Sequence, residues 1–135
     1  MTIGGQRVIV TGAASGLGLA FARRLAGRGA RVWALDRDEE SLRRVAAEPG
    51  SDDIAFVKCD VGAEQDVETA VAEIEQVSGG ISVLVNNAAV LRDQALVSKL
   101  GKRLRTHSVD DWNETLRSNL TGTFLMARAV AEKMI

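Results

Sequence analysis

Four short apolar runs, set apart by turns and by stretches with helical spacing, leave this chain few folds to adopt. The first, Arg7 to Val10, centres on Val8-Ile9-Val10. The second, Val32-Trp33-Ala34-Leu35, ends on Asp36. The third, Ile54-Ala55-Phe56-Val57, ends near Asp60, and the fourth spans Ile81 to Val85. Runs this short and this continuously apolar suit strands buried on both faces, as in a parallel sheet. Right-handed crossovers would then wind helices onto both sides. The expected class is α/β, a doubly wound parallel sheet of four strands with flanking helices.

The intervening stretches carry helical spacing. Leu17, Ala20, Phe21 and Leu25 are expected to share the buried face of the first helix, which Gly27 and Gly29 should stop. Asp38 is placed to cap a second helix through Glu48, before Pro49-Gly50 breaks it. Val67, Ala70, Val71, Ile74 and Val77 line a third, ended by Ser78-Gly79-Gly80. From Val90 to His107 runs a long connection rich in Arg and Lys. Ser108 then opens a last helix with Asp111 as a capping-box partner, and Leu116, Leu120, Phe124, Ala127 and Val130 are expected along one side.

With 135 residues the chain is of one-domain size, and residues 1–135 read as one unit with no second domain. A formal net charge of −1 gives no electrostatic reason to expect nucleic acid or an anionic membrane as partner. No apolar run nears the ~20 residues that a membrane-spanning helix needs. The early arrival of the first strand leaves no room for a signal peptide, so a cytoplasmic location is expected. Cys59 is the single cysteine and His107 the single histidine, so no disulfide forms within the chain and no metal site is expected. Tyrosine is absent.

Thr11-Gly12-Ala13-Ala14-Ser15-Gly16-Leu17-Gly18 lies between the first strand and the first helix, where a dinucleotide loop belongs. Glycines there permit a sharp turn, let the backbone approach a pyrophosphate, and let helix pack closely on strand. The helix N-terminus offers N–H groups and a partial positive charge to phosphates. Glycines also serve ordinary turns, and it is Asp36 that tips the reading. It ends the next strand about 20 residues downstream, where a carboxylate accepts hydrogen bonds from an adenosine ribose. A 2′-phosphate there would meet like charge, so Asp36 argues for NAD over NADP. Arg37, next in sequence, is either a solvated turn residue or a cation that softens this preference.

The pattern from Thr11 to Gly18, T-G-x-x-x-G-x-G, resembles the short-chain dehydrogenase/reductase family, and further motifs follow in register. Asp60-Val61 follows the third strand, Asn86-Asn87-Ala88-Ala89 the fourth, and Asn119-Leu120 lies within the last helix. Ala89 stands where the family usually has glycine, which an alanine at negative φ can replace. The resemblance implies a Rossmann-type fold and NAD as cofactor. It implies that Ser15 and Leu17, beside the loop glycines Gly12, Gly16 and Gly18, contact the cofactor's phosphates and ribose, and that Asp36 holds the ribose. Asp60 and Val61 would meet the adenine. Asn87 and Ala88 would line the cleft, with Asn87 tying the fourth strand to the Thr11 turn. Asn119 would be catalytic, holding a water in a proton relay. Taken singly, Asp60 could instead cap a helix, and Asn119 could be an interior amide bonded to backbone.

The basic connection, with Ser98 to Lys102 and Thr106 to Trp112, resembles that of the short-chain (type II) 3-hydroxyacyl-CoA dehydrogenases. Arg92-Asp93 is instead similar to the 3-oxoacyl-carrier-protein reductases. Arg92, Lys99, Lys102, Arg103 and Arg105 suit a phosphate-bearing carrier such as coenzyme A, or are simply a solvated loop. The family's chemistry uses a Ser and a Tyr-x-x-x-Lys, carried on a fifth strand and the helix after it. None of these is expected within 1–135. A complementary segment or chain carrying them is therefore expected, since Ile81 to Val85 would otherwise be an apolar edge. Alone, residues 1–135 would be inactive and not a stable monomer. The implied whole is an oxidoreductase acting on a secondary alcohol or ketone, commonly a homotetramer built partly on the last helix. The rival reading is a non-catalytic NAD-binding half-domain.

Overall fold

In the computed structural model, which describes residues 2–51 and 53–135, the apolar runs pair as one parallel sheet. Its strands are β1 (Arg7–Thr11), β2 (Arg31–Asp36), β3 (Ile54–Lys58) and β4 (Val83–Val85), in the order β3-β2-β1-β4. The order reverses between β1 and β4, so a crevice opens at the C-terminal ends of these strands. Val8, Ile9 and Val10 of central β1 are fully buried, as two-sided coverage requires. One core unites Val8, Val10, Val32 and Ala34 with Ala22 and Ala26. The other unites Ile9, Trp33 and Leu35 with Val67, Val71, Ile74, Met126 and Val130.

Helix α1 (Gly16–Ala26) begins inside the glycine turn and buries a different face from the expected one. Gly18, Ala22 and Ala26, spaced four apart, lie on the sheet, while Leu17, Ala20 and Phe21 are exposed and Leu25 is half-buried. Small side chains let helix and strand approach closely, and that outweighs the leucine stripe. Helix α2 (Glu39–Ala46) starts at Asp38, whose carboxylate accepts from the Ser41 N–H at 3.0 Å. It ends short of Glu48, whose N–H donates to Val45 in a tightened last turn. Helix α3 (Glu64–Ser78) buries Val67, Ala70, Val71 and Ile74, but Val77 is exposed. Gly79, at φ 72°, closes it with an N–H to the Glu75 carbonyl.

Strand β4 is shorter than Ile81 to Val85, because Ser82 meets β1 with its side chain as well as with its backbone N–H, which donates to the Arg7 carbonyl at 2.9 Å. The Ser82 Oγ accepts from the Arg7 N–H at 2.8 Å, so regular pairing begins one residue later. Val83, Leu84 and Val85 are each half-buried at this sheet edge.

The basic connection is not irregular throughout. Val97–Leu100 (β5) and Arg103–Thr106 (β6) form an antiparallel hairpin turned by Gly101, which has φ 62°. Ser108 caps α4 (Val109–Thr115), accepting from the N–H groups of Asp110 and Asp111. Asp111 does not close a capping box. Its carboxylate takes Gln94 at 3.2 Å and faces Arg92 at 3.9 Å, steadying the chain before the hairpin. Leu116–Thr121 is a wide π turn, and α5 (Gly122–Met134) continues from it. The wide turn rotates the apolar stripe out of phase. Leu120 and Phe124 are 66% and 58% exposed, whereas Leu125, Met126 and Val130 are buried. No helix among the described residues is long and apolar enough to cross a membrane.

Candidate functional site

The crevice is built on Thr11. Its hydroxyl accepts from the N–H groups of Asn87 and Ala88, both at 3.0 Å, and donates to the Val85 carbonyl at 3.4 Å. Asn87 answers with its amide, donating to the carbonyls of Thr11 at 3.0 Å and Gly12 at 3.2 Å. The segments after β1 and β4 are thus locked by side chains where strand pairing ends.

Two glycines are required by contact. Gly12 has φ 65°, and a Cβ on it would lie 2.7 Å from the Ala88 Cα. A Cβ on Gly18 would lie 2.1 Å from the Gly12 carbonyl oxygen and 2.6 Å from Asn87 Nδ2. Gly16 differs: its φ is 55°, and nothing lies within 4 Å of an added Cβ. Its backbone faces open space at the start of α1. Ser15, the exposed N-cap, makes no side-chain cap bond and leaves the first-turn N–H groups of α1 without a side-chain cap. Leu17, 70% exposed, stands beside it.

Asp36 at the end of β2 faces this loop. One carboxylate oxygen accepts from the Ala14 N–H at 3.1 Å and the other from the Asp38 N–H at 3.0 Å. Each oxygen keeps further lone-pair capacity toward the crevice. Gly12, Asp36, Arg37, Asp60, Val61, Ala88 and Val90 line a cleft of about 80 Å³ between the loop and the last helix. A larger hollow of about 580 Å³ lies at the other end of the sheet, by Arg31, Asp53 and Ile54. Ligands of doubly wound sheets sit at the carboxyl ends of the strands, so the smaller cleft is the relevant one.

The far wall comes from the end of β3 and from the π turn. Asp60 does not cap α3, whose N-cap is Ala63 without a side-chain cap bond. Its Oδ1 accepts from the Gly62 N–H at 3.0 Å, and its Oδ2 from Arg117 Nη1 at 2.9 Å. Gly62 makes room, because a Cβ there would fall 2.5 Å from that guanidinium. Val61 is buried against Gly122, where an added Cβ would meet its methyl at 2.7 Å. Cys59 lies below, its thiol pushed up to about 12 by burial first and by Asp66 and Asp60 second, so it is unreactive at neutral pH.

Asn119 lies in the π turn and grips Val90 from both sides. Its Oδ1 accepts from the Val90 N–H at 2.8 Å, and its Nδ2 donates to the Val90 carbonyl at 2.9 Å. The expected residues therefore gather around one crevice: Gly12 to Gly18, Asp36, Asp60, Val61, Asn87, Ala88 and Asn119. Glu114 and Arg117 were not anticipated. Arg117 meets Asp60 across 57 residues of sequence, and no local pattern signals such a pairing.

A doubly wound parallel sheet with a pinned glycine loop opposite an acidic strand end defines the Rossmann-type class. The short chain dehydrogenase family model matches residues 6–135, and the chain belongs to that family. It is 40% identical over 133 residues to D-threitol dehydrogenase of Mycolicibacterium smegmatis, covering 97% of this chain and 48% of the relative. It is 38% identical over 135 residues to human 3-hydroxyacyl-CoA dehydrogenase type-2, covering 98% and 50%. The crystal structure of 3-ketoacyl-(acyl-carrier-protein) reductase from Brucella melitensis, complexed with NADH, superposes with a TM-score of 0.81. That match has 30% identity and covers 97% of this chain and 51% of the other. The chain spans about half the length of the curated relatives it matches.

Proposed function

We propose that this chain is the cofactor-binding half of an NAD(H)-dependent oxidoreductase that interconverts a secondary alcohol and a ketone. The observation that carries the reading is the locked loop, with open space at Gly16, facing the backbone-held carboxylate of Asp36. Gly12, Ser15, Gly16, Leu17 and Gly18 would hold the pyrophosphate, Asp36 the ribose hydroxyls, and Asp60 and Val61 the adenine. When bound, nicotinamide supplies the hydride acceptor and donor. Asn87 and Ala88 shape the floor beneath it. Asn119, with its amide spent on Val90 and its main-chain carbonyl accepting from the Thr123 hydroxyl at 2.8 Å, would take the proton-relay role by holding a water.

Proton transfer at the carbinol oxygen needs a group with a tuned pKa, and the 135 residues contain no tyrosine. We assign that step to a complementary segment carrying Ser and Tyr-x-x-x-Lys, which would also cover the half-buried edge of β4. The exposed cations Lys99, Lys102, Arg103 and Arg105 on the β5–β6 hairpin support a phosphate-bearing acyl carrier as substrate. Coenzyme A is favoured, and the likeness to a carrier-protein reductase supports an acyl-carrier protein as the second reading. The exposed Leu116, Leu120 and Phe124 support a homo-oligomer packed through the last helix.

The test is titration of NADH and NADPH into the native protein and Asp36→Ala, with a melt of each. Lost charge-assisted ribose bonds should weaken NADH about ten- to a hundredfold and narrow the gap to NADPH. An unchanged preference in a variant that still folds would refute the assignment.

A further inference from the structure

Around the cleft, two guanidiniums face three carboxylates: Arg37 and Arg117 against Asp36, Asp60 and Glu114. Arg37 directly follows Asp36 and lines the same cleft, so it is the natural cation for a phosphate on the ribose 2′-hydroxyl. It is otherwise engaged. Its Nη1 donates to Glu114 Oε1 at 2.5 Å. Glu114 is itself held by Arg117, whose Nε donates to Oε2 at 2.9 Å and Nη2 to Oε1 at 3.2 Å. The remaining arm of Arg117 reaches Asp60, and Gly62 leaves the space for it.

An isolated exposed ion pair restrains little, because two long side chains must be ordered to make it. Here Glu114 is ordered already by the two-pronged bond from Arg117, so Arg37 meets a fixed acceptor. Arg117 first and Arg37 second pull the Glu114 carboxyl down to about 2, so it stays charged throughout the neutral range. With all five groups charged, the cleft keeps an excess of negative charge.

We propose that Glu114 is a specificity-determining residue, which ties up the guanidinium of Arg37 at the edge of the cleft and so withholds the cation that a 2′-phosphate would need. Asp36 repels the 2′-phosphate, and Glu114 removes the charge that could have compensated. The inference rests on the proposed NAD(H) function, and it concerns the adenosine half of the ligand only.

The test is calorimetric titration with two probes, adenosine 5′-monophosphate and adenosine 2′,5′-bisphosphate, which need no catalysis. The native protein should prefer the monophosphate. Glu114→Gln should move the affinity ratio roughly tenfold toward the bisphosphate. Adding Arg37→Ala to that variant should remove the gain. Arg37→Ala alone should move the ratio by less than about twofold, since the side chain is already occupied. A ratio unmoved in Glu114→Gln, or a large loss of bisphosphate binding in Arg37→Ala alone, overturns the proposal. The second of these decides the matter even if Glu114→Gln does not fold. A native protein that binds neither probe overturns the nucleotide-binding function itself, whereas normal monophosphate binding with an unresponsive ratio overturns the clamp alone.

Discussion

Replacing Thr11 by valine keeps the shape of the side chain and deletes the oxygen on which the crevice is built. Thr11 is 1% exposed, and its hydroxyl is the acceptor for the N–H groups of Asn87 and Ala88. An unpaired buried donor costs about 1–3 kcal/mol. Both N–H groups are partly exposed and can recover some water, so the low end applies to each, about 2 kcal/mol together. The bond to Val85, at 3.4 Å, is long and adds little. For a domain of this size that loss lowers the melting temperature by roughly 6–10 °C. Thermal and urea unfolding of the native protein, Thr11→Val and Thr11→Ser would measure it. Serine keeps the hydroxyl and should lose less than valine, and amide exchange at Asn87 and Ala88 should quicken only in the valine variant. If valine is as stable as threonine while serine is not, methyl packing holds the turn and the hydrogen-bond argument fails.

Gly16→Ala should leave the fold largely intact, at about 1 kcal/mol for its left-handed φ, yet abolish binding of adenine dinucleotides. Gly18→Ala should damage both, because its Cβ would meet the Gly12 carbonyl oxygen at 2.1 Å. Paired melts and titrations separate the two, and normal nucleotide affinity in Gly16→Ala would make the open space at Gly16 irrelevant. Glu114 falls from its ordinary 4.5 to about 2 in the folded protein, so it stabilises the fold above about pH 5 and loses that effect as pH drops toward 2. The stability difference between native protein and Glu114→Gln should be flat near neutrality and shrink across that acid window; a constant difference would contradict the pairing. Cys59, raised to about 12 and buried, should resist thiol reagents at pH 8 until the protein unfolds, and immediate labelling of the folded protein would contradict its placement.

What could be read in advance followed local chemistry. The strands were legible because each is a short apolar run, and the loop because glycine and Asp36 stand at fixed offsets within one βα unit. Asp38 and Ser108 were legible as caps because they bond within their own turns. The errors arose where a distant neighbour decides the outcome. Apolar spacing does not give the buried face of α1, because close approach to the sheet selects Gly18, Ala22 and Ala26 over larger apolar side chains. Ser82 shortened β4 by a side-chain bond that hydrophobicity cannot express. The hairpin was hidden because β5 and β6 are exposed throughout and carry no buried stripe. The Arg37–Glu114–Arg117–Asp60 network joins the segments after β2 and β3 to α4 and the π turn, and only the fold brings it together.

The π turn also determines which mutations the last helix can absorb. Each residue of a regular helix advances about 100°. A π turn takes one extra residue into a single turn, so deleting one residue between Leu116 and Thr121 would restore regular winding and leave every later side chain in phase. Leu125, Met126 and Val130 would keep their places in the core, and Gly122 its bare Cα against Val61. A deletion within α5, which has no wide turn to absorb it, would instead swing every side chain beyond it by that angle. Chain length is therefore held less tightly in the π turn than in the helix that follows, and single-codon deletions should survive in the first where they are purged from the second.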